Sequence, residues 1–260
     1  MARSYKRTGR RRSTMGGVNI SSKRVLVTGG TGGVGLALAD RLTSLGAVVV
    51  TCGRSAPPDH PHAVRADLAV PGEAARVVAE AVRRLGGLDV VVANAGVQYP
   101  TPLTLGPDPR TLALAREEIE VNLASVVELA AAAWPHLAAA APDAAFVAVT
   151  SGLAFAPKRS APVYCATKAA VHILLESLRH PARTASPGVR VQEIVLPLVD
   201  TAMTAGREGP AKKLTPSAAA AAVARGMAGG RPVVPVGATR ALLALLRVAP
   251  AVGRRILRDG

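Results

Sequence analysis

The sequence predicts a doubly wound α/β fold, one parallel sheet with helices on both faces. Three observations carry the prediction. Short stretches that are apolar throughout alternate with helical stretches along nearly the whole chain. A glycine-rich turn separates the first strand from the first helix. No Pro/Gly/Ser-rich linker divides the 260 residues, so they form a single domain.

The elements follow in order. Residues 1–20 read as a disordered basic arm, rich in Arg, Ser, Gly and Thr and without periodicity, in which Met15 is an alternative start. Residues 21–237 form the folded domain. Its first strand spans 25–28, and a helix over 36–45 stops at Gly46. Strands over 48–52 and 62–66 precede a helix over 72–85 that stops at Gly86 and Gly87. The fourth strand covers 90–93. A long Ala-rich helix over 117–141 ends before Pro142 and is expected to pack closely on another helix. A strand over 145–149, a helix over 163–185 and a strand over 189–195 come next. A helix over 217–228 and a strand over 232–236 complete the sheet. Residues 238–260 read as a basic amphipathic helix, with Leu242, Leu243, Leu245, Leu246, Val248, Val252, Ile256 and Leu257 interleaved with arginines.

Composition excludes whole classes. A hydrophobic fraction of 49% against 19% charged rules out a disordered chain. Aromatics are 2%, so the core must be built from Ala, Val and Leu. No apolar run is long enough to span a bilayer. Cys52 and Cys165 make no disulfide framework and no secretory signal is visible, so a reducing, cytoplasmic setting is expected. The net charge of +15 sits at the ends: the first 24 residues carry eight Lys and Arg and no acid, and 239–260 carry five Arg against Asp259. A nucleic-acid enzyme would carry that charge on the body of the domain, interleaved with aromatics, so nucleic acid is not expected as a partner. Asp59, His60 and His62 lie among prolines and lack further ligands at zinc-like spacing, so no metal is expected.

Two motifs carry chemistry. The turn Thr28-Gly29-Gly30-Thr31-Gly32-Gly33-Val34-Gly35 lets a pyrophosphate approach backbone N–H groups at a helix start. Glycine-rich turns also occur as plain flexible loops; the position directly after the first strand favours the nucleotide reading and a Rossmann-type sheet. In Tyr164-Cys165-Ala166-Thr167-Lys168, phenol and ammonium share one helix face, and the cation is expected to lower the tyrosine pKa toward acid/base use. An isolated pair at this spacing is more often an ordinary helix contact. Ser151, just past the fifth strand, can meet Tyr164 at the carboxyl edge of the sheet. Cys165 has no histidine partner in view and reads as small packing.

In this order and spacing, the motifs resemble the single-domain short-chain dehydrogenases/reductases over residues 23 to about 236. The resemblance includes Asn94-Ala95-Gly96 after the fourth strand, and Asn122, Ser151, Tyr164 and Lys168. It departs at Leu198, where the family has Gly after Pro197, and at Ala93, where the family has a further Asn. The runs 150–157, 162–172 and 196–201 also resemble the bacterial oxidoreductase branch named for D-alanine esterification of lipoteichoic acid, a name that supplies no substrate. The resemblance implies an oxidoreductase acting on a carbonyl or alcohol. Tyr164 would be the proton donor and acceptor, Lys168 would hold the nicotinamide ribose, Ser151 would bind the reacting oxygen, and Asn122 would steady a water. It further implies cofactor contacts from Gly29, Thr31, Gly33, Val34 and Gly35, from Asp67 and Leu68 at adenine, from Asn94, Ala95 and Gly96, and from Pro197, Val199 and Thr201. A homodimer or homotetramer through the two long helices is implied too. The rival class is a non-catalytic dinucleotide-binding regulator or scaffold, which would have no reason to keep all four catalytic groups.

Cofactor choice rests on the residues themselves. The second strand ends at Gly53-Arg54-Ser55, with no acid to bind both ribose hydroxyls and with Arg54 available for a 2′-phosphate. NADP(H) is therefore expected, with NAD(H) as the alternative. Lys158, Arg159, Arg207, Lys212 and Lys213 point to an anionic or polar-headed substrate or a membrane-proximal one, or else are solvated surface charge. The basic C-terminal stretch suits an anionic bilayer or a neighbouring subunit equally.

Overall fold

Seven parallel strands lie in the order β3-β2-β1-β4-β5-β6-β7. They are β1 (Arg24–Thr28), β2 (Val48–Gly53), β3 (Ala63–Arg65), β4 (Val90–Ala93), β5 (Ala145–Ser151), β6 (Arg190–Leu196) and β7 (Val233–Pro235). The computed structural model describes residues 17, 19–207 and 212–258; most of the expected basic arm lies outside them. The strand order reverses between β1 and β4, which opens a crevice at the carboxyl ends of the strands.

Both faces of the sheet are covered, which is why its strands are apolar throughout. Leu26, Val91 and Phe146 pack toward α2 (Glu73–Leu85), α4 (Ser125–Ala139) and α5 (Pro162–Thr184), where Val77, Leu129, Leu137 and Leu175 fill the layer. Their neighbours Val25, Val27, Val90 and Val92 point the other way, toward Leu38 and Leu42 of α1 (Gly33–Ser44) and Val223 and Met227 of α6 (Pro216–Ala228). The Ala-rich helix does pack closely on a neighbour: Ala130 and Ala133 of α4 lie in one cluster with Val77, Val78 and Ala81 of α2. The single tryptophan, Trp134 on α4, donates from Nε1 to Ser186 Oγ at 3.1 Å, just past the end of α5.

Two elements differ from the sequence reading. The long helix begins at Pro109, not at 117. Asp108 caps α3 (Pro109–Ile119) by accepting from the N–H groups of Arg110 and Thr111, and Pro109 presets φ at the first turn. A π-helical segment, Glu120–Ala124, joins α3 to α4. The C-terminal helix is two helices, α7 (Thr239–Val248) and α8 (Pro250–Arg258). Pro250 bars the helical conformation at Ala249, which sits at φ −143°, ψ 70°. None of the helices among the described residues is long and apolar enough to cross a membrane.

The amino ends of the strands are closed by ion pairs. Arg24 grips Asp89 bidentately, Nε to Oδ2 at 2.9 Å and Nη2 to Oδ1 at 2.8 Å, and its backbone N–H adds a third bond. Arg190 and Lys23 flank Asp143 at 3.5 and 3.9 Å.

Candidate active site

The glycine turn is locked to the strand beside it. Thr28 Oγ1 accepts from the backbone N–H of Asn94 and of Ala95, each at 3.0 Å, and the Asn94 side chain donates back to the Thr28 carbonyl at 2.9 Å. Glycine is required where backbones then meet. A Cβ on Gly35 would stand 2.1 Å from the Gly29 carbonyl oxygen and 2.6 Å from Asn94 Nδ2. Gly29 itself has φ +66° with Ala95 close by. The start of α1 has no side-chain cap and no acid in its first turn. A dipole end with uncapped N–H groups is an anion site.

The second half of the site comes from β5 and α5. Ser151 ends β5, and Pro162 starts α5 two residues before Tyr164. Ser151 Oγ accepts from Leu153 N–H at 3.2 Å, and Ser151 works to lower the pKa of the Tyr164 phenol, which lines the same cavity. Burial pushes that phenol up to about 12, with Ser151 pulling the other way. The expected lowering by Lys168 is thus overturned by desolvation of the ring. Lys168 Nζ lies 5.8 Å from the Tyr164 ring centroid and donates to the Val149 carbonyl at 3.1 Å. Burial brings the ammonium down to about 8, against the opposing field of Glu193.

Asn122 sits in the π-helical segment and is fully buried. Its amide exchanges both bonds with the Val97 backbone at 2.8 Å and donates to Thr167 Oγ1 at 3.3 Å. It therefore ties the segment after β4 to α5 rather than lining the cavity. A Cβ on Gly96 would lie 3.1 Å from its Oδ1 and 3.5 Å from Lys168 Nζ, so Asn122 stands directly behind that wall.

These elements enclose a cavity of about 850 Å³ at the carboxyl edge of the sheet. Gly29, Thr31, Gly33, Val34 and Gly35 line it on one side, with Asn94, Ala95 and Gly96 beside them. Ser151, Tyr164 and Lys168 form the opposite wall, and Pro197, Val199 and Thr201 complete it. Asp67 and Leu68 do not line it; the Asp67 carboxylate accepts from Ala69 N–H at 3.0 Å in a local turn. Arg54 lines the cavity, yet its guanidinium rests 3.3 Å from Glu117 Oε1. Sequence spacing gave no sign of this acid, 63 residues away.

Other partners were equally hidden in the sequence. Glu193 of β6, fully buried, accepts from Thr150 Oγ1 at 2.6 Å and pairs with His172 Nδ1 at 2.7 Å. His172 follows Lys168 by one helical turn, and its pKa is raised chiefly by the hydrogen bond to Glu193. Among the described residues no group of three or more His, Cys, Asp or Glu is placed to hold a metal ion.

Comparison with known proteins places the fold in a family. The family model for short chain dehydrogenases matches residues 23–211. The uncharacterized oxidoreductase DltE of Bacillus subtilis is 40% identical over 194 residues, covering 72% of this chain and 75% of its own. The uncharacterized oxidoreductase SERP2049 of Staphylococcus epidermidis is 30% identical over 206 residues, 75% of this chain and 86% of its own. Among solved structures, a short chain dehydrogenase from Burkholderia cenocepacia in complex with NADP aligns with a TM-score of 0.77 at 27% identity, over 92% of this chain and 99% of its own. The NADH-dependent reductase A1-R′, responsible for alginate metabolism, aligns with a TM-score of 0.71 at 26% identity, over 84% and 96%. The match runs from the glycine turn through the tyrosine-bearing helix, and the chain belongs to the short-chain dehydrogenase/reductase family of oxidoreductases.

Proposed function

We propose that this enzyme moves a hydride between NADP(H) and a carbonyl or alcohol substrate, with Tyr164 as general acid and base. One observation carries the reading. Ser151, Tyr164 and Lys168 line the same cavity as the glycine turn, whose Gly35 position leaves no room for a side chain. The nicotinamide, when bound, supplies the hydride. The chain's own groups do the rest. The start of α1 and the glycine turn hold the pyrophosphate. Ser151 binds the reacting oxygen. Tyr164, protonated through neutral pH because burial raises it, hands its proton to that oxygen in reduction and takes it back in oxidation. Lys168, charged below about pH 8, offsets the negative charge left on the tyrosine oxygen.

NADP(H) over NAD(H) follows from Arg54 at the end of β2, with Glu117 as a competitor for the same guanidinium. Asp67 and Leu68 follow β3, whose Arg65 is in register with Gly53, so the adenine end stays assigned to them. Self-association through α4 and α5 belongs to the same reading, because Val127 and Ile173 stand exposed on those helices. The test of the mechanism is Tyr164→Phe. Turnover of an aldehyde with NADPH falls at least ~10²-fold, while NADPH binding, followed by its fluorescence, persists. A variant that keeps its rate removes Tyr164 from the mechanism.

A further inference from the structure

The matched family region ends at residue 211, yet part of the cavity wall comes from beyond it. Leu242 and Leu245 of α7 and Ile256 and Leu257 of α8 all line the cavity. They stand next to the chemistry. A Cβ on Gly152, the neighbour of Ser151, would lie 3.0 Å from Leu242 Cδ2 and 3.8 Å from Leu257 Cδ1. The hairpin is anchored there, since Arg159 N–H donates to the Arg258 carbonyl at 2.9 Å. So the apolar face of the C-terminal hairpin is turned into the cavity.

The charge of the cavity is one-sided. Among the described residues no carboxylate lines it, whereas Lys158 and Lys212 do, in addition to Arg54 and Lys168. The other basic residues of the segment after β6 are engaged elsewhere. Arg207 bonds the side chain and carbonyl of Gln98, and Lys213 bonds the Thr204 carbonyl at 2.8 Å and faces Asp200. Lys158 follows the stretch that carries Ser151, and its backbone N–H lies 3.3 Å from Cys165 Sγ, beside Tyr164. A cation at the rim of an apolar wall recognises an amphipathic anion.

We propose that the substrate is a carbonyl compound, or its alcohol, with an apolar body that rests on the leucines of α7 and α8 and an anionic group that pairs with Lys158. The inference rests on the hydride-transfer reading for the carbonyl nature of the substrate and for the roles of Arg54, Tyr164 and Lys168; the leucine face and Lys158 stand apart from it. Reduction balances with one proton from water: the hydride goes to the carbonyl carbon, the proton from Tyr164 to its oxygen, solvent returns a proton to Tyr164, and NADPH leaves as NADP⁺.

Four aldehydes test it with NADPH: azelaic semialdehyde (apolar and anionic), nonanal (apolar), succinic semialdehyde (anionic, short) and glyceraldehyde (neither). Azelaic semialdehyde is expected to exceed the other three in kcat/KM, and nonanal by roughly tenfold or more. Lys158→Ala collapses the ratio of azelaic semialdehyde to nonanal toward one. Leu242→Ser lowers both relative to succinic semialdehyde. Titration calorimetry with nonanoate on the NADP-loaded protein gives a readout that needs no turnover; wild type binds, and both variants bind more weakly. Equal use of the short and long aldehydes, a ratio untouched by Lys158→Ala, or absence of nonanoate binding each overturns the inference. Nonanoate binding that depends on Lys158 and Leu242, without oxidation of NADPH by any aldehyde, upholds the pocket and sinks the hydride-transfer reading instead.

Discussion

The two edges of one sheet treat charge in opposite ways. At the amino edge the cations are held by carboxylates: Arg24 clamps Asp89, and Arg190 and Lys23 share Asp143. At the carboxyl edge Lys158, Lys168 and Lys212 line a cavity to which the described residues bring no carboxylate, and Arg54 beside them meets Glu117 outside that lining. The same strands run through both edges, so the difference is not one of fold. Charges neutralised by each other hold elements together. Charges left to face a cavity are available to ligands. Stability and binding should therefore separate by edge, and variants can be chosen to sharpen or break that separation.

The largest effect is expected at the carboxyl edge. Arg54→Ala weakens NADP binding by about ten- to a hundredfold, the cost of one charge-assisted contact, and leaves NAD binding and Tm nearly unchanged. Calorimetric titration of both dinucleotides checks it. Equal weakening of the two would strip Arg54 of its role at the 2′-phosphate.

At the amino edge the expectation is reversed. Asp89→Asn lowers stability by about 1–2 kcal/mol, roughly 2–8 °C in Tm, with dinucleotide binding intact. A pH series adds a sign. Burial works to raise the Asp89 pKa, but the hydrogen bonds from Arg24 prevail and hold it below the usual carboxylate range. Its contribution is then present above the unfolded value near 3.9 and is lost as pH falls through the lower folded value. The wild type should accordingly lose stability more steeply below about pH 4 than the Asn variant. Parallel acid limbs in the two proteins would break the account of this edge.

The smallest effect tests the boundary between the two regimes. Glu117 is the acid that reaches Arg54 from outside the cavity lining. Freeing the guanidinium by Glu117→Gln should tighten NADP binding a few-fold at low salt, since an exposed pair is worth about 0.2–1 kcal/mol. Unchanged affinity would mean that the pair does not compete with the ligand.

What the sequence made legible was whatever a short segment decides. The glycine turn needs Gly29 and Gly35 within one tight loop, and Tyr164 and Lys168 share a helix face by their spacing alone. The strands were readable because both of their faces are buried. Contacts made across the chain were not readable. Glu117 meets Arg54, and Glu193 meets both Thr150 and His172, only after the sheet has brought distant segments together. Leu242 and Leu257 carried a clear amphipathic pattern, but a pattern says which face is apolar and not what it covers. The break at Pro250 and the start at Asp108-Pro109 are set by single cap and proline residues, which the periodicity of a longer apolar pattern does not mark.

Trp134 has a practical consequence. It is the chain's one indole, and it is tied to Ser186, beyond the far end of α5 from Tyr164. Along α4 and the segment before it, Trp134 stands twelve residues, roughly 18 Å at about 1.5 Å per residue, from Asn122 behind the cavity wall. Indole emission will follow the tie between α4 and the segment after α5, and a reduced nicotinamide in the cavity will quench it, because its absorption overlaps indole emission. One indole can therefore report occupancy by a reduced dinucleotide through quenching, and unfolding through its own emission when the cavity is empty.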